Sequence, residues 1–361
     1  MTAQSAIQTF SDETPPWPRD PLGYFLEFPL RENCFPLGAP AEISTNSADV
    51  ISAARQTWGS FPHLLEAEKI HVRVAVAESG RPDLPQPPVI RGQRGLIAII
   101  SDSENFGVCD VTSGFSFGWI APATAADQGF FRYHFLNLMA GLLIAPMHYA
   151  IIHSACVALD GHGVLLCGHS NAGKSTLSFA CARRGWTFVS DDAVYVPRKN
   201  PGRTVIGDPL SLRLRSDAPS LFPELRNRTV ILRQNGEFGF EIATSELPGL
   251  VTAFTCNIDH LVFLNRTPHG PAKIESFPEA RARRHLENVL DYTFACSPCH
   301  GGNRAEMFLA DAKAREEQKV SLSPFLAGNV HELSYSDLNQ AIDCLEAMVR
   351  SCQRESLCVT R

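Results

Sequence analysis

A glycine-bounded loop near the middle of the chain carries residues that could bind phosphate. Residues 168–175 follow the G-x-x-x-x-G-K-S pattern of a Walker A loop without a mismatch. Glycines let successive backbone N–H groups point at phosphate oxygens, and the start of the following helix adds unpaired N–H groups. Lys174 would reach the β- and γ-phosphates, and the Ser175 hydroxyl would bind Mg²⁺. The predicted nucleotide-binding residues are Gly168, His169, Ser170, Asn171, Ala172, Gly173, Lys174, Ser175 and Thr176.

The residues on either side of the loop have the pattern that a phosphate-binding loop requires. Residues 164–167 are apolar and predict a short buried strand, and a helix is predicted from Lys174 to about Arg184, closed by Gly185. A glycine-rich turn with an incidental lysine is the alternative, and it would need neither neighbour. Strand, loop and helix together favour a triphosphate site.

Two adjacent acids follow the next predicted strand, residues 187–190. Since α/β sheets place ligand-binding groups at the carboxyl ends of strands, Asp191 and Asp192 could hold Mg²⁺ or take a proton from an attacking hydroxyl. The alternative is a helix cap or a loop acid. The residues alone do not divide the metal and the proton between the two acids. His153 falls on a strand predicted over 149–159, where a core histidine is the more common role.

The elements around these residues predict two domains. Residues 1–24 are rich in Pro, Ser and Thr and predict a mobile tail. Residues 25–124 predict a small α+β domain of unknown role, in which strands over 96–101, 106–110 and 115–120 form an antiparallel meander. Residues 125–351 predict an α/β catalytic domain, and residues 352–361 a second tail.

Several elements of the predicted catalytic domain can be bounded from the sequence. Residues 128–144 carry apolar residues at helical spacing, and Pro146 is expected to end that helix. Strands are expected over 260–264 and 330–333. A last helix is expected from Asp337 to about Ser351, with Ser336 as its N-cap.

Composition excludes several classes of function. The net charge of −6 argues against a broad nucleic-acid surface, and no apolar stretch approaches the roughly 18 residues of a membrane span. Residues 1–20 lack the basic and apolar regions of a secretory signal. The eleven cysteines are an odd number and several lie in apolar runs, so reduced thiols in a cytoplasmic protein are expected.

Three segments, residues 153–156, 161–175 and 184–192, together resemble the HPr serine kinase/phosphorylase family, and more narrowly its compact kinase relatives. The resemblance implies a P-loop catalytic domain of phosphoenolpyruvate-carboxykinase-like type, ATP and Mg²⁺ as cofactors, and a serine hydroxyl on a protein, peptide or small molecule as the acceptor. It implies Asp191 as the base, Asp192 with Ser175 on the metal, and His153 with Lys174 near the transferred phosphate. Since hexamers are common among full-length members, it also leaves room for a homo-oligomer.

The sequence departs from the family in three places. Residues 1–124 do not resemble the family's N-terminal domain, and the glycine- and asparagine-containing signature of the bifunctional enzymes is not found downstream of Asp192. Phosphorolysis, and HPr as the acceptor, are therefore in doubt. Asn171 stands where the family prefers glycine, which is tolerable if its φ is negative. Arg213 and Arg215 could stabilise transferred charge, or they could be surface or salt-bridged arginines.

Two other functions remain open on the sequence. A nucleotide-dependent regulatory module would bind ATP without transferring phosphate. A carboxykinase-like enzyme would act on a carboxylate, but it would need a clear cluster of arginines and metal-binding histidines. Cys296-Ser297-Pro298-Cys299-His300 matches the pattern for covalent haem. Half of a zinc site or a redox pair is a second alternative, but two incidental thiols in a loop are the simpler interpretation.

Overall fold

The computed structural model describes residues 26–77, 83–199, 202–233, 236–295, 312–327 and 329–359. In the first part of these ranges, the strands are β1 (Leu30–Cys34), β2 (Ala41–Thr45), β3 (Ile70–Val76), β4 (Val89–Gln93), β5 (Leu96–Ile100), β6 (Phe106–Asp110) and β7 (Phe115–Ile120). They form one sheet in the spatial order β1-β2-β3-β7-β6-β5-β4. Consecutive strands from β4 to β7 pair antiparallel, whereas β2, β3 and β7 are parallel. The sheet is therefore mixed, and the sequential antiparallel strands β4 to β7 are four of its seven strands.

A helix, α1 (Ala48–Trp58), connects the parallel strands β2 and β3. It begins where Ser47 accepts a hydrogen bond from the backbone N–H of Asp49, at 3.3 Å. The serine oxygen thereby satisfies one of the unpaired donors of the first turn. The apolar face of α1 packs into the core of the first sheet through residues such as Val50 and Trp58.

A run of helical segments follows the first sheet: α2 (Pro122–Ala126), α3 (Gln128–Phe131), a π-helical turn (Arg132–Leu136) and α4 (Asn137–His148). Because α4 is apolar on all sides, it is buried. Pro146 does not end this helix, as the sequence predicted, but lies inside its last turn. The apolar residues of the run share a core with the first sheet. A domain boundary after residue 124, as the sequence predicted, would thus separate these helices from the sheet on which they pack.

The second half of the chain, within the described ranges, contains ten strands of one sheet and three of another. In chain order they are β8 (Tyr149–Ile152), β9 (Ala155–Leu159), β10 (His162–Cys167), β11 (Thr187–Ser190), β12 (Val194–Pro197), β13 (Thr204–Gly207), β14 (Ser211–Arg215), β15 (Ile231–Leu232), β16 (Phe238–Ala243), β17 (Val251–Thr252), β18 (Thr255–Arg266), β19 (Lys273–Ser276) and β20 (Asn329–Tyr335). The helices are α5 (Lys174–Arg183), α6 (Glu279–Ala295), α7 (Ala312–Leu326) and α8 (Leu338–Val359). Strands β14, β16 and β15 form the smaller sheet.

The larger sheet folds over on itself. Its main path runs β17-β11-β9-β10-β18-β13-β12-β8, yet apolar residues of β8, β12 and β13 share one core with those of β9, β10 and β11. The single strand predicted over 149–159 is therefore wrong, because His153 and Ser154 break it into β8 and β9, which lie in facing layers. His153 consequently lies in a two-residue connection between the layers, and not on a strand.

The opposite face of the larger sheet is covered by α5 and α8, around a core that includes Phe179, Trp186 and Leu345. Strand β10 is parallel to β18 and antiparallel to β9, which is in turn antiparallel to β11. Strands β10 and β11 therefore run in the same direction. Their carboxyl ends, which lead into the glycine loop and the two aspartates, lie at one edge of the sheet.

The last helix differs from the prediction at both ends. Asp337, and not Ser336, accepts a hydrogen bond in its first turn, from the backbone N–H of Gln340 at 2.9 Å. The Ser336 hydroxyl instead donates to the carbonyl of Gly270. The helix continues to Val359, through most of the predicted tail over 352–361.

The cysteines predicted as reduced, Cys156, Cys167, Cys181 and Cys256, are buried free thiols. Across the described ranges, no helix combines the length and the apolar character needed to cross a membrane. The predicted tail over 1–24 and the segment from Cys296 to His300 lie outside the described residues.

Candidate active site

The glycine loop connects β10 to α5 at the carboxyl edge of the larger sheet. Asn171 has a φ of 71°, so the condition that its φ be negative is not met. Asparagine is nevertheless one of the non-glycine residues that adopt this left-handed conformation most readily. Asn171 therefore adopts the left-handed backbone conformation that a glycine at this position would also adopt.

Gly173 ends the loop in a way that other residues could not. Its φ is 93°, and a Cβ atom there would lie 2.3 Å from the hydroxyl oxygen of Tyr335. That hydroxyl donates a hydrogen bond to the carbonyl of Ala172, at 2.9 Å. Tyr335, from β20, therefore holds the loop from the side. This contact could not be predicted from the sequence, because Tyr335 lies 162 positions after Gly173.

Lys174, the first residue of α5, folds back over the loop. Its Nζ donates to the carbonyls of Gly168 at 3.0 Å and His169 at 3.2 Å. The residue is 7% exposed, and this burial lowers the pKa of the ammonium group. The lysine charge is thus held at the mouth of the loop, where a phosphate could replace the two carbonyls as its partner.

Ser175 connects the loop to the two aspartates. Its Oγ donates to the backbone carbonyl of Asp191 at 3.2 Å. The predicted loop and the predicted acid pair, which are 16 residues apart in the sequence, therefore meet in the structure as the topology of β10 and β11 requires.

Asp191 is the buried member of the acid pair. Only 5% of the residue is exposed, and its Oδ2 accepts a hydrogen bond from the backbone N–H of Arg213 at 2.7 Å. Burial raises the pKa of the carboxyl group to about 7, although the Arg213 N–H acts in the opposite direction. A carboxyl group with a pKa close to 7 can both hold and release a proton near neutral pH.

Asp192 is the exposed member and lies between two basic groups. Its Oδ1 is 3.3 Å from Nδ1 of His153, and its Oδ2 is 3.6 Å from a terminal nitrogen of Arg213. Burial, followed by the charge of Lys174, lowers the pKa of His153, so its imidazole is mainly neutral at pH 7. Thus, His153 does reach the acid pair, by way of the connection between β8 and β9.

Arg213 contacts both aspartates, through its backbone with Asp191 and through its side chain with Asp192. Its Nε also lies 3.6 Å from Oε1 of Glu241, the residue opposite it in the β14–β16 ladder. Burial opposes its charge, but the surrounding carboxylates raise the pKa of Arg213 overall. The sequence did not predict the contact of Glu241 with Arg213, because it depends on the register of the two strands. Arg215 is exposed at the end of β14.

The residues present fit a magnesium–triphosphate ligand. Among the residues that the structure describes, no three metal-ligating side chains come together. Mg²⁺ usually binds one or two protein oxygens and completes its shell with phosphate and water oxygens. The Ser175 hydroxyl and the exposed Asp192 carboxylate, beside a loop of backbone N–H groups, meet that requirement.

A cavity of about 350 Å³ lies elsewhere, at the opposite end of α5. Its two arginines, Arg183 and Arg228, already pair with Glu224 and Glu246. The predicted site residues lie at the glycine loop, and none of them lines this cavity.

Comparisons with known proteins match the segment that contains the predicted site residues. Residues 146–213, which contain His153, the glycine loop, the two aspartates and Arg213, match the family model of the HPr serine kinase C-terminal domain. Over 88 residues, the chain is 34% identical to the HPr kinase/phosphorylase of Chlorobaculum tepidum. That alignment covers 24% of this chain and 24% of the relative, so the chain spans about a quarter of the length of the curated relative that it matches.

A solved structure, the HPr(Ser) kinase/phosphatase from Coxiella burnetii, aligns with 57% of this chain and 97% of that chain. The sequence identity is 17% and the TM-score 0.27, which is too low to compare the two folds in detail. The likeness therefore rests on residues 146–213, which contain the whole set of predicted site residues and match the model of the HPr serine kinase C-terminal domain.

Proposed function

We propose that the chain is an ATP- and Mg²⁺-dependent kinase that phosphorylates a serine hydroxyl on a protein, a peptide or a small molecule. The observation that carries the proposal is Asp191, a buried carboxyl group with a pKa of about 7 beside Ser175 of the glycine loop. A phosphate loop alone is shared by motors, switches and kinases. A general base next to it is the feature that a kinase requires.

In this proposal, the loop N–H groups and Lys174 bind the phosphates. Lys174 exchanges the carbonyls of Gly168 and His169 for the β- and γ-phosphate oxygens. Ser175 and Asp192 would hold Mg²⁺, which supplies positive charge to the phosphates when it is bound. The catalytic part would then have a P-loop domain of phosphoenolpyruvate-carboxykinase-like type.

Asp191 takes the proton of the acceptor hydroxyl. Its burial favours the neutral acid that results, and Arg213 keeps the carboxyl group oriented through its backbone N–H. Arg213 and His153 both flank Asp192, and in this proposal they stabilise the negative charge that develops on the transferred phosphate. Catalysis would then consist of positioning and charge stabilisation, as is usual for phosphoryl transfer.

The serine acceptor is inferred from the matched model of the HPr serine kinase C-terminal domain and from the similarity to an HPr kinase/phosphorylase. Whether this chain acts on HPr is a separate matter, because residues 1–124 do not resemble the family's N-terminal domain. We therefore infer a serine-bearing acceptor without assigning it to HPr.

The proposal can be tested with γ-labelled ATP, Mg²⁺ and a panel of acceptors that includes HPr, serine peptides and a cell lysate. Label should reach a serine with the wild-type chain, and neither Lys174→Ala nor Asp191→Asn should transfer it. Asp191→Asn should still bind ATP nearly as tightly as the wild type.

Asp217→Asn is the matched control, since Asp217 is an exposed aspartate outside the site. It should transfer label at the wild-type rate. Label that stays on ATP across the whole panel would favour a regulatory ATP-binding module. Unchanged turnover in Asp191→Asn would refute the role of Asp191 as the base.

A further inference from the structure

His285 of α6 lies against the glycine loop from the sheet face opposite α5. Its ring centroid is 5.2 Å from that of His169 in the loop and 4.9 Å from that of Phe263, with both contacts nearly edge-on. Phe263 pairs with Cys167, the last residue of β10 before the loop. The imidazole of His285 is therefore at the start of the loop, although its helix begins more than 100 residues later.

One nitrogen of this imidazole has no partner within the described structure. The Nε2 atom is buried and makes no hydrogen bond. Buried polar atoms are usually paired, because leaving one unpaired costs free energy. An unpaired atom beside a ligand site is therefore a candidate contact for the ligand, and phosphate oxygens are the acceptors that this loop is built to receive.

The charge state of His285 is compatible with such a contact. Burial, followed by the neighbouring His169 and Lys174, lowers the pKa of the imidazole. A neutral imidazole still carries one N–H donor. His285 could therefore donate to a phosphate oxygen without placing a second cation beside Lys174 in the nucleotide-free chain.

We propose that His285 is a phosphate-binding residue supplied by α6, which donates its Nε2–H to the triphosphate held by the loop. The inference rests on the nucleotide binding in the proposed function and adds a contact from a second element. With it, the triphosphate would be bound from both faces of the sheet, by α5 on one side and by α6 on the other.

The test compares two substitutions at His285 with a matched control. His285→Phe keeps a ring but removes the donor, whereas His285→Gln keeps a donor. The control is His331→Phe, because His331 also has a buried, unpaired Nε2 but contacts the ring of His260 and not the loop. Calorimetric titration with ATP and Mg²⁺ gives the affinity, and thermal melting without nucleotide reports on packing.

We expect His285→Phe to weaken ATP binding about tenfold, as the loss of one hydrogen bond to a charged group would. Its melting temperature should stay at or above the wild-type value, because an unpaired buried nitrogen has been removed. His285→Gln should stay within about threefold of the wild-type affinity, since it retains a donor. His331→Phe should leave the affinity unchanged.

Two results would overturn the inference alone: ATP binding by His285→Phe that is as tight as in the wild type, or equal losses of affinity and melting temperature in both His285 variants. The second result would make His285 a packing residue. If the wild-type chain bound no ATP, or if Lys174→Ala bound it equally well, the proposed function would fail and this inference with it.

Discussion

Replacing Asp191 with asparagine should favour the folded chain, relative to the wild type, more in neutral and alkaline solution than in acid. The ordinary pKa of this carboxyl group is 3.8, and burial raises it to about 7 in the folded chain. For a group with a raised pKa, the folded state holds the proton more tightly than the unfolded state does. Its contribution to stability is therefore fully present below pH 3.8 and is lost as the pH rises through about 7.

The size of the effect follows from the two pKa values. Each pH unit between them lowers the free energy of unfolding by about 1.36 kcal/mol, which amounts to about 4 kcal/mol over the whole interval. Between pH 5 and pH 8 the loss is about 3 kcal/mol, most of it below pH 7, and little more is lost above pH 8. The asparagine oxygen can still accept the Arg213 N–H, and any cost of its NH₂ group is the same at every pH.

Urea unfolding of the wild type and Asp191→Asn at pH 5, 6, 7 and 8 measures this difference. The variant should gain about 3 kcal/mol relative to the wild type between pH 5 and pH 8, with most of the gain below pH 7. Asp217→Asn, at an exposed site, should show a difference that does not vary with pH. A difference between the wild type and Asp191→Asn that is also constant with pH would refute the assignment of a raised pKa to Asp191.

Three further results are expected. The initial rate of phosphate transfer at saturating ATP should rise with pH through about 7 and then level off, because only the ionised form of Asp191 accepts a proton. A rate that does not change between pH 5.5 and pH 8.5 would contradict this. Asn171→Gly should keep the affinity for ATP within about twofold, whereas Asn171→Val should weaken it about tenfold or more. The reason is that a β-branched residue is strained at a φ of 71° by about 1–2 kcal/mol. Equal affinities of the two variants, measured by calorimetry, would exclude that strain. Tyr335→Phe should lower the melting temperature by about 2–4 °C, since the hydrogen bond to Ala172 contributes about 1 kcal/mol, and an unchanged melting curve would show that the contact has no such value.

The local parts of the site could be predicted from the sequence. The strand before the loop, the helix from Lys174, its closure at Gly185 and the strand before Asp191 all depend on short-range pattern and capping chemistry. Each was found within about two residues of its expected place. The meeting of the loop and the two aspartates follows from the rule that ligand-binding groups collect at the carboxyl ends of strands.

The remaining features depend on contacts that sequence pattern does not encode. The break at His153 and the buried Ser154 divides one apolar run into strands of two layers, and this change of layer depends on tertiary packing. Glu241 reaches Arg213 through the register of β14 and β16, and His285 reaches the loop from a helix far along the chain. Nor does periodicity identify the π-helical turn at Arg132–Leu136, since one turn changes the period for only a few residues.

The helices between the two sheets have a consequence for exchanging parts of this chain with other proteins. Phe135, Met139 and Leu143 are buried against the first sheet, and the Tyr149 hydroxyl at the start of β8 donates to the carbonyl of Leu37. A chimera joined at residue 124 would give these apolar residues a new partner surface, and it should aggregate or misfold. A crossover just before Tyr149 would keep the helices with their own sheet. Recombination between relatives of this protein should therefore succeed more often near residue 148 than near residue 124.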